Sequence, residues 1–186
     1  MKGNTILGTQ VLEPYAQALL SLGQSNNLLD AFNNDASLIL ETLDASSELQ
    51  QFLATPFIGD SAKQNVLKQV FGGKVQPFME NFMLLLVDRR RIMFLAGICQ
   101  QYQVLVRKLK GIELAEVTSV VELTDAQKDQ VKQRVKAITA ANEVEIQTEI
   151  DPELIGGMVI KVGSQVIDAS LKGQLRQISL RLAGVS

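Results

Sequence analysis

The chain has 186 residues, 46% apolar and 20% charged, with a formal net charge of −2 and a pI near 5.3. It contains no histidine and one cysteine, Cys99, which removes histidine general bases, Ser-His and Cys-His nucleophile pairs, imidazole ligands, internal disulfides and multi-cysteine metal sites. What remains is a folded protein of one ordinary or two small domains, too acidic overall for a general polyanion binder.

The first part of the chain has helical apolar spacing almost throughout. One helix is predicted from about Leu12 to Gly23, with Pro14 in its first turn, and a second from about Leu28 to Leu43. A short helix over Glu48–Ala54 stops before Pro56, which disfavours helix at Thr55. Asp60 or Ser61 is expected to cap a fourth helix that ends at Gly72-Gly73. A fifth starts near Val75 with Pro77 in its first turn, and a sixth runs from Arg89 to about Lys110. Short helices joined by small loops make an antiparallel bundle.

The pattern changes at Lys110–Ile112. Ile112 to Leu123 reads as a strand whose alternation slips at Leu114-Ala115, so a bulge or bend is expected. Thr124 with Gln127 forms a capping box for a helix that buries Val131, Val135 and Ile138. Val144, Ile146, Thr148 and Ile150 alternate with polar residues in a half-buried strand ended by Asp151-Pro152. Met158, Ile160 and Val162 form another strand, and Gly163-Ser164 turns it back into Val166-Ile167. Asp168 or Ser170 caps a last helix with the stripe Leu171, Leu175, Ile178 and Leu182. The fold class is therefore α+β with two domains, a helical bundle over 1–110 and a small α/β sheet domain over 111–186.

No uncharged apolar run nears the ~20 residues that span a bilayer. Met1 to Thr9 shows neither a secretory signal nor an Arg- and Ser-rich transit peptide, so a cytosolic or mature chain is expected.

Apolar surface exceeds what a small bundle can hide. Leu12, Tyr15, Ala16, Ala18, Leu19, Leu20 and Leu22 cover an arc of roughly 200° on the first helix, where a surface helix needs little more than ~100°. The fifth helix, from Val75 through Phe78, Met79, Phe82 and Met83 to Val87, leaves only a narrow polar strip. Both could be central helices. Alternatively, part of each faces a groove for an amphipathic partner helix. Charge is uneven too: residues 1–60 carry one lysine against seven acids, and residues 61–110 nine basic residues against two acids. The basic set includes Arg89, Arg90 and Arg91, with no aromatic platform beside them, so no nucleic-acid partner is expected.

No catalytic constellation assembles. Gly72-Gly73 and Gly156-Gly157 match no phosphate or dinucleotide fingerprint. Asp151, Glu153 and Asp168 read as turn and cap residues, and Cys99 as a buried, inert thiol. The expectation is no enzyme, no cofactor and no metal.

One run is specific. It comprises Val144, Ile146, Ile150, Asp151 and Leu154, then Ile155-Gly156-Gly157-Met158, Ile160-Lys161, Gly163, Val166-Ile167-Asp168-Ala169-Ser170 and Gln174-Leu175. Tyr15-Ala16, Ala18-Leu19, Leu86-Val87-Asp88-Arg89-Arg90 and Ala115-Glu116-Val117-Thr118-Ser119 support it. With these residues the whole chain resembles the delta subunit family of F-type ATP synthases, counterpart of the oligomycin-sensitivity-conferring protein, in a cyanobacterial or plastid-like form. Pro14 departs from the pattern, standing where many members carry a basic residue, which puts a polar contact there in doubt.

The resemblance implies a non-catalytic stator connector with an N-terminal six-helix bundle. Its N-terminal domain would bind alpha-subunit N-terminal segments in a groove between the first and fifth helices. Its C-terminal domain would meet b-type subunits of the peripheral stalk. Coupling of rotor torque to proton (hydrogen ion) transport and ATP synthesis would depend on that link. Tyr15, Leu19, Leu22, Phe78, Met79 and Phe82 are the candidates for the groove or its floor, whereas Asp151, Gly156, Gly157, Gly163 and Asp168 are signature residues with mainly structural work. Membrane association would be peripheral, through the complex only, on the cytoplasmic or stromal face, with the thylakoid as the expected membrane. The alternative is a general helical-bundle adaptor for amphipathic helices.

Overall fold

A computed structural model describes residues 4–139 and 141–182, with side chains for 11–139, 141–175 and 179. The chain divides into two compact units, Met1–Val106 and Arg107–Ser186.

The first unit is helical. It contains α1 (Asn4–Ser25), α2 (Leu29–Ala45), α3 (Ser47–Ala54), α4 (Asp60–Phe71), α5 (Pro77–Asp88) and most of α6 (Leu95–Lys110), with a single 3-10 turn at Ile92–Phe94. Its core gathers Phe32, Ile39, Leu67, Phe71, Met79, Met83, Ile98 and Tyr102, all fully buried. Three helix boundaries differ from expectation. The first helix begins eight residues before Leu12, at Asn4, so Pro14 lies inside it and withholds one backbone N–H from the ladder. The N-cap of α4 is Gly59, without a side-chain cap, and Asp60 is already helical. Val75 precedes α5, which starts at Pro77 with Gln76 as its N-cap.

The largest difference is at Arg89–Arg91, which is a turn and not the start of α6. The Arg91 N–H donates to the Leu86 carbonyl at 2.7 Å and the Arg90 N–H to the Val87 carbonyl at 2.8 Å. That pair of bonds is a Schellman cap, with Arg90 left-handed at φ 55° in the position glycine usually takes. A non-glycine residue there costs about 1 kcal/mol, and no propensity rule would place arginine in it.

The second unit is a mixed four-stranded sheet with two helices. Its elements are β1 (Ile112–Ser119), α7 (Asp125–Thr139), β2 (Glu143–Ile150), a 3-10 turn at Pro152–Leu154, β3 (Met158–Val162), β4 (Gln165–Asp168) and α8 (Leu171–Leu182). The strand order is β2-β1-β3-β4. β1 pairs parallel with β2 and antiparallel with β3, and β3 pairs antiparallel with β4. The parallel pair needs a crossover, which α7 supplies. Ala115, Val117, Val144, Ile160 and Val162 form a core with Leu123, Val131 and Val135.

Several sequence expectations need correction here. β1 ends at Ser119, short of Leu123, and its ladder with β2 runs in unbroken register from Ile112 to Ser119. The apparent slip has another cause: Ala115 is buried on the core face, while Leu114 is half-buried on the opposite one. The capping box holds, with the Thr124 N–H donating to Gln127 Oε1 at 2.9 Å. Ile138 nevertheless leaves the buried stripe of α7, being 48% exposed. On β2, an edge strand, Val144 is buried but Thr148 and Ile150 are exposed. On α8, Leu171 and Leu175 of the stripe are exposed, and the side chains of Ile178 and Leu182 lie outside the described residues.

Candidate functional site

α1 and α5 share an apolar surface whose two layers the structure separates. Leu19, Met79 and Phe82 are its floor, at 1%, 0% and 9% exposure. Tyr15 and Leu22 are half-buried above it, and Phe78 is 42% exposed. Leu85, one and two turns further along α5 from Phe82 and Phe78, is 43% exposed and extends the same strip. Leu85 falls within the mostly apolar run from Val75 to Val87, and spacing alone does not show that it stays outside the core.

Aromatic contacts fix this surface. Tyr15 meets Phe82 edge-on with ring centroids 6.2 Å apart, and Phe78 is backed by Phe32 of α2 at 6.4 Å. Arg91, from the turn after α5, donates Nη1 to the Tyr15 hydroxyl at 2.8 Å. Its guanidinium carbon sits 5.4 Å from the Tyr15 ring centroid, a cation–π contact. Tyr15 is thereby held between Phe82 and Arg91.

The start of α5 is set by a residue that the sequence reading missed. Asp35, buried on α2, accepts the Gln76 backbone N–H at 2.9 Å through Oδ2. The carboxylate thus satisfies a free donor beside the helix N-terminus and meets the positive end of its dipole. Burial raises the Asp35 pKa above 3.8, and the Gln76 hydrogen bond pulls against that rise. Pro77 follows at the first helical position, where its missing N–H loses nothing.

The signature residues of the second unit form a separate, structural cluster. Asp151 Oδ1 accepts the Glu153 N–H at 2.9 Å, and the Asp151 N–H donates to the Ser119 carbonyl at 2.8 Å. Asp168 Oδ1 accepts both the backbone N–H of Ser170, at 2.9 Å, and its hydroxyl, at 2.6 Å. Ser170 Oγ in turn accepts the Gly173 N–H at 3.0 Å, so Ser170 is the cap of α8 and Asp168 holds it. Both hydrogen bonds from Ser170 keep the Asp168 carboxyl below its ordinary 3.8. Gly157 has φ 79°, and a Cβ on it would run into the Ala169 carbonyl oxygen. Gly163, at φ 57°, makes the two-residue turn from β3 to β4. This cluster binds the segment before β3 to the start of α8; the same segment receives the Leu171 N–H at the Gly156 carbonyl, 2.9 Å away.

The remaining titratable candidate is sealed. Cys99 is fully buried, and burial pushes its thiol up to about 12. Among the described residues no helix is long and apolar enough to cross a membrane.

Comparison with known proteins finds similarity over nearly the whole chain. The family model described as ATP synthase delta (OSCP) subunit matches residues 11–182. The chain is 58% identical over 179 residues to ATP synthase subunit delta of Synechococcus sp., covering 96% of this chain and 97% of that one. It is 56% identical over 183 residues to ATP synthase subunit delta of Thermosynechococcus vestitus, covering 98% of each. Its fold is similar to a chain in a cryo-EM structure of the Toxoplasma gondii mitochondrial ATP synthase hexamer, with a TM-score of 0.72, 23% identity and coverage of 92% and 96%.

Proposed function

The chain belongs to the ATP synthase delta (OSCP) subunit family, and from this we propose that it joins the alpha subunits of the catalytic head to the b-type subunits of the peripheral stalk. Its place is that of a non-catalytic stator subunit. α1 to α6 are read as the family's six-helix bundle, residues 1–110 as the part that holds the head, and 111–186 as the part that meets the stalk. The observation that carries the reading is the apolar strip on α1 and α5. Tyr15, Leu22, Phe78 and Leu85 remain partly exposed over a packed floor, where an amphipathic helix would lay its apolar face.

A stator link works by slow dissociation under load and needs no chemistry of its own. An interface of about 800 Å² per partner is the scale of a specific complex. The rigid aromatic set around Tyr15 lowers the ordering cost of binding. Membrane association is peripheral and through the complex, on the cytoplasmic or stromal face of an energy-transducing membrane, which for cyanobacterial relatives is read as the thylakoid.

The experiment is a titration of the full chain with an alpha-subunit N-terminal peptide. Saturable binding is expected, with Leu85→Asp about tenfold weaker at an unchanged melting temperature. A folded chain that binds no such peptide would dismiss the head-binding assignment. Equal affinity for unrelated amphipathic helices would favour the general adaptor instead. Leu19→Asp is the wrong probe: at 1% exposure Leu19 is core, and the substitution would report on folding.

A further inference from the structure

A second surface of the helical unit has features that folding does not require. Phe57, in the turn between α3 and α4, is 95% exposed, and Met93, in the 3-10 turn before α6, is 57% exposed. Both line one cleft of about 280 Å³ together with Leu53, Asp60, Lys63 and Arg90. That volume lies at the small end for a ligand pocket, so it suits one or two side chains of a partner.

The cations of this cleft are the unusual part. Lys63 is 7% exposed, and its ammonium donates to the Leu53 carbonyl at 2.7 Å. No ion pair satisfies it among the described residues. An ammonium has three donors, and the Leu53 carbonyl takes one, leaving two for a group that enters the cleft. Arg90 occupies the left-handed cap position after α5, where glycine would relieve strain. Asp60 is the single acid at the cleft, against two cations. An exposed phenylalanine, an ammonium without an ion pair among the described residues and a left-handed arginine thus meet at one place.

We propose that this cleft is a second docking surface, and that its occupant is a protein segment of the ATP synthase complex presenting a carboxylate side chain among apolar ones. The carboxylate would accept from Lys63 and, in fork geometry, from Arg90. Its apolar neighbours would cover Phe57 and Met93. A small free carboxylate would satisfy the charge and leave Phe57 in water. The proposal rests on the family assignment for its choice of complex but shares no residue with the α1–α5 strip.

The test uses the full chain and ATP synthase stripped of this subunit. Rebinding is measured for the wild type, Phe57→Ser, Arg90→Gly and, in parallel, Leu85→Asp. Phe57→Ser is expected to rebind at least fivefold more weakly with its melting temperature unchanged. Arg90→Gly is expected to melt higher and still rebind at least fivefold more weakly, an opposition that a purely structural role would not produce. A photo-reactive residue at position 57 of the rebound wild-type background should cross-link to a segment with Asp or Glu within four residues of the captured site. Unchanged rebinding of either variant, or capture at a segment without an acid, overturns the proposal. Leu85→Asp bears only on the α1–α5 strip, and a folded wild type that does not rebind fails the family reading itself.

Discussion

Asp35 ties the chemistry of one carboxyl to the position of a whole helix. Burial raises its pKa, with the Gln76 N–H opposing. Between the ordinary 3.8 and the raised value the folded chain therefore binds more protons than the unfolded one. Stability contributed at this site falls as pH rises through that window, and levels off above it. Asp35→Asn keeps an oxygen for Gln76 and removes the titration. The melting temperature of Asp35→Asn relative to wild type is expected to climb as pH rises from below 3.8 and then to plateau. A flat difference, or one of opposite sign, would show that burial does not dominate. Cys99 gives a second residue-scale prediction: with its thiol at about 12, thiol reagents at pH 8 should label it only at the rate of global opening. Cys99 was readable from its apolar neighbours. Asp35 was not, because its partner Gln76 lies 41 residues away and no local pattern links them.

At the scale of elements, the segment before β3 and the cap of α8 act as one lock. Two glycines stand side by side there with different roles. A Cβ on Gly156 would meet Leu171 Cδ1, the movable end of a side chain, at 2.7 Å, whereas on Gly157 it would meet backbone at a positive φ. Gly156→Ala should therefore be tolerated, while Gly157→Ala should destabilise by several-fold more in thermal or denaturant unfolding. Ser170→Ala removes the cap of α8 and should cost about 1 kcal/mol. Equal effects at the two glycines would remove the backbone-contact explanation. The existence and type of most elements were legible, because period 3.6 and period 2 are imposed by a buried face. Their edges were not always so. The start of α6 was misplaced because a left-handed Arg90 ends α5 in the middle of a run that reads as helix. The stripe on α8 shows the same limit, because amphipathic spacing gives which residues share a face and not what covers it; Leu171 and Leu175 are 47% and 55% exposed.

For the whole molecule, the same ambiguity becomes informative. Each unit closes its own core, and each has partly exposed apolar residues at helical spacing: Phe78 and Leu85 in the first, Leu171 and Leu175 in the second. A domain that worked alone would gain nothing from keeping these in water. A connector needs one such face per partner. It also needs the two contacts to be separable in energy, since a break at either end uncouples the machine. Two pairs of substitutions test this. On the proposed assignment of the first unit to the head and the second to the stalk, Phe78→Ser with Leu85→Asp should abolish capture of the catalytic head and leave binding to b-type stalk subunits intact. Leu171→Asp with Leu175→Asp should do the reverse, with both proteins retaining wild-type helical content by circular dichroism. In reconstituted membranes either pair should leave ATP hydrolysis by the head running while proton pumping is lost, because torque is then spent turning the head. If one pair removed both contacts, or if pumping survived without head binding, the two-ended connector would not be the mechanism.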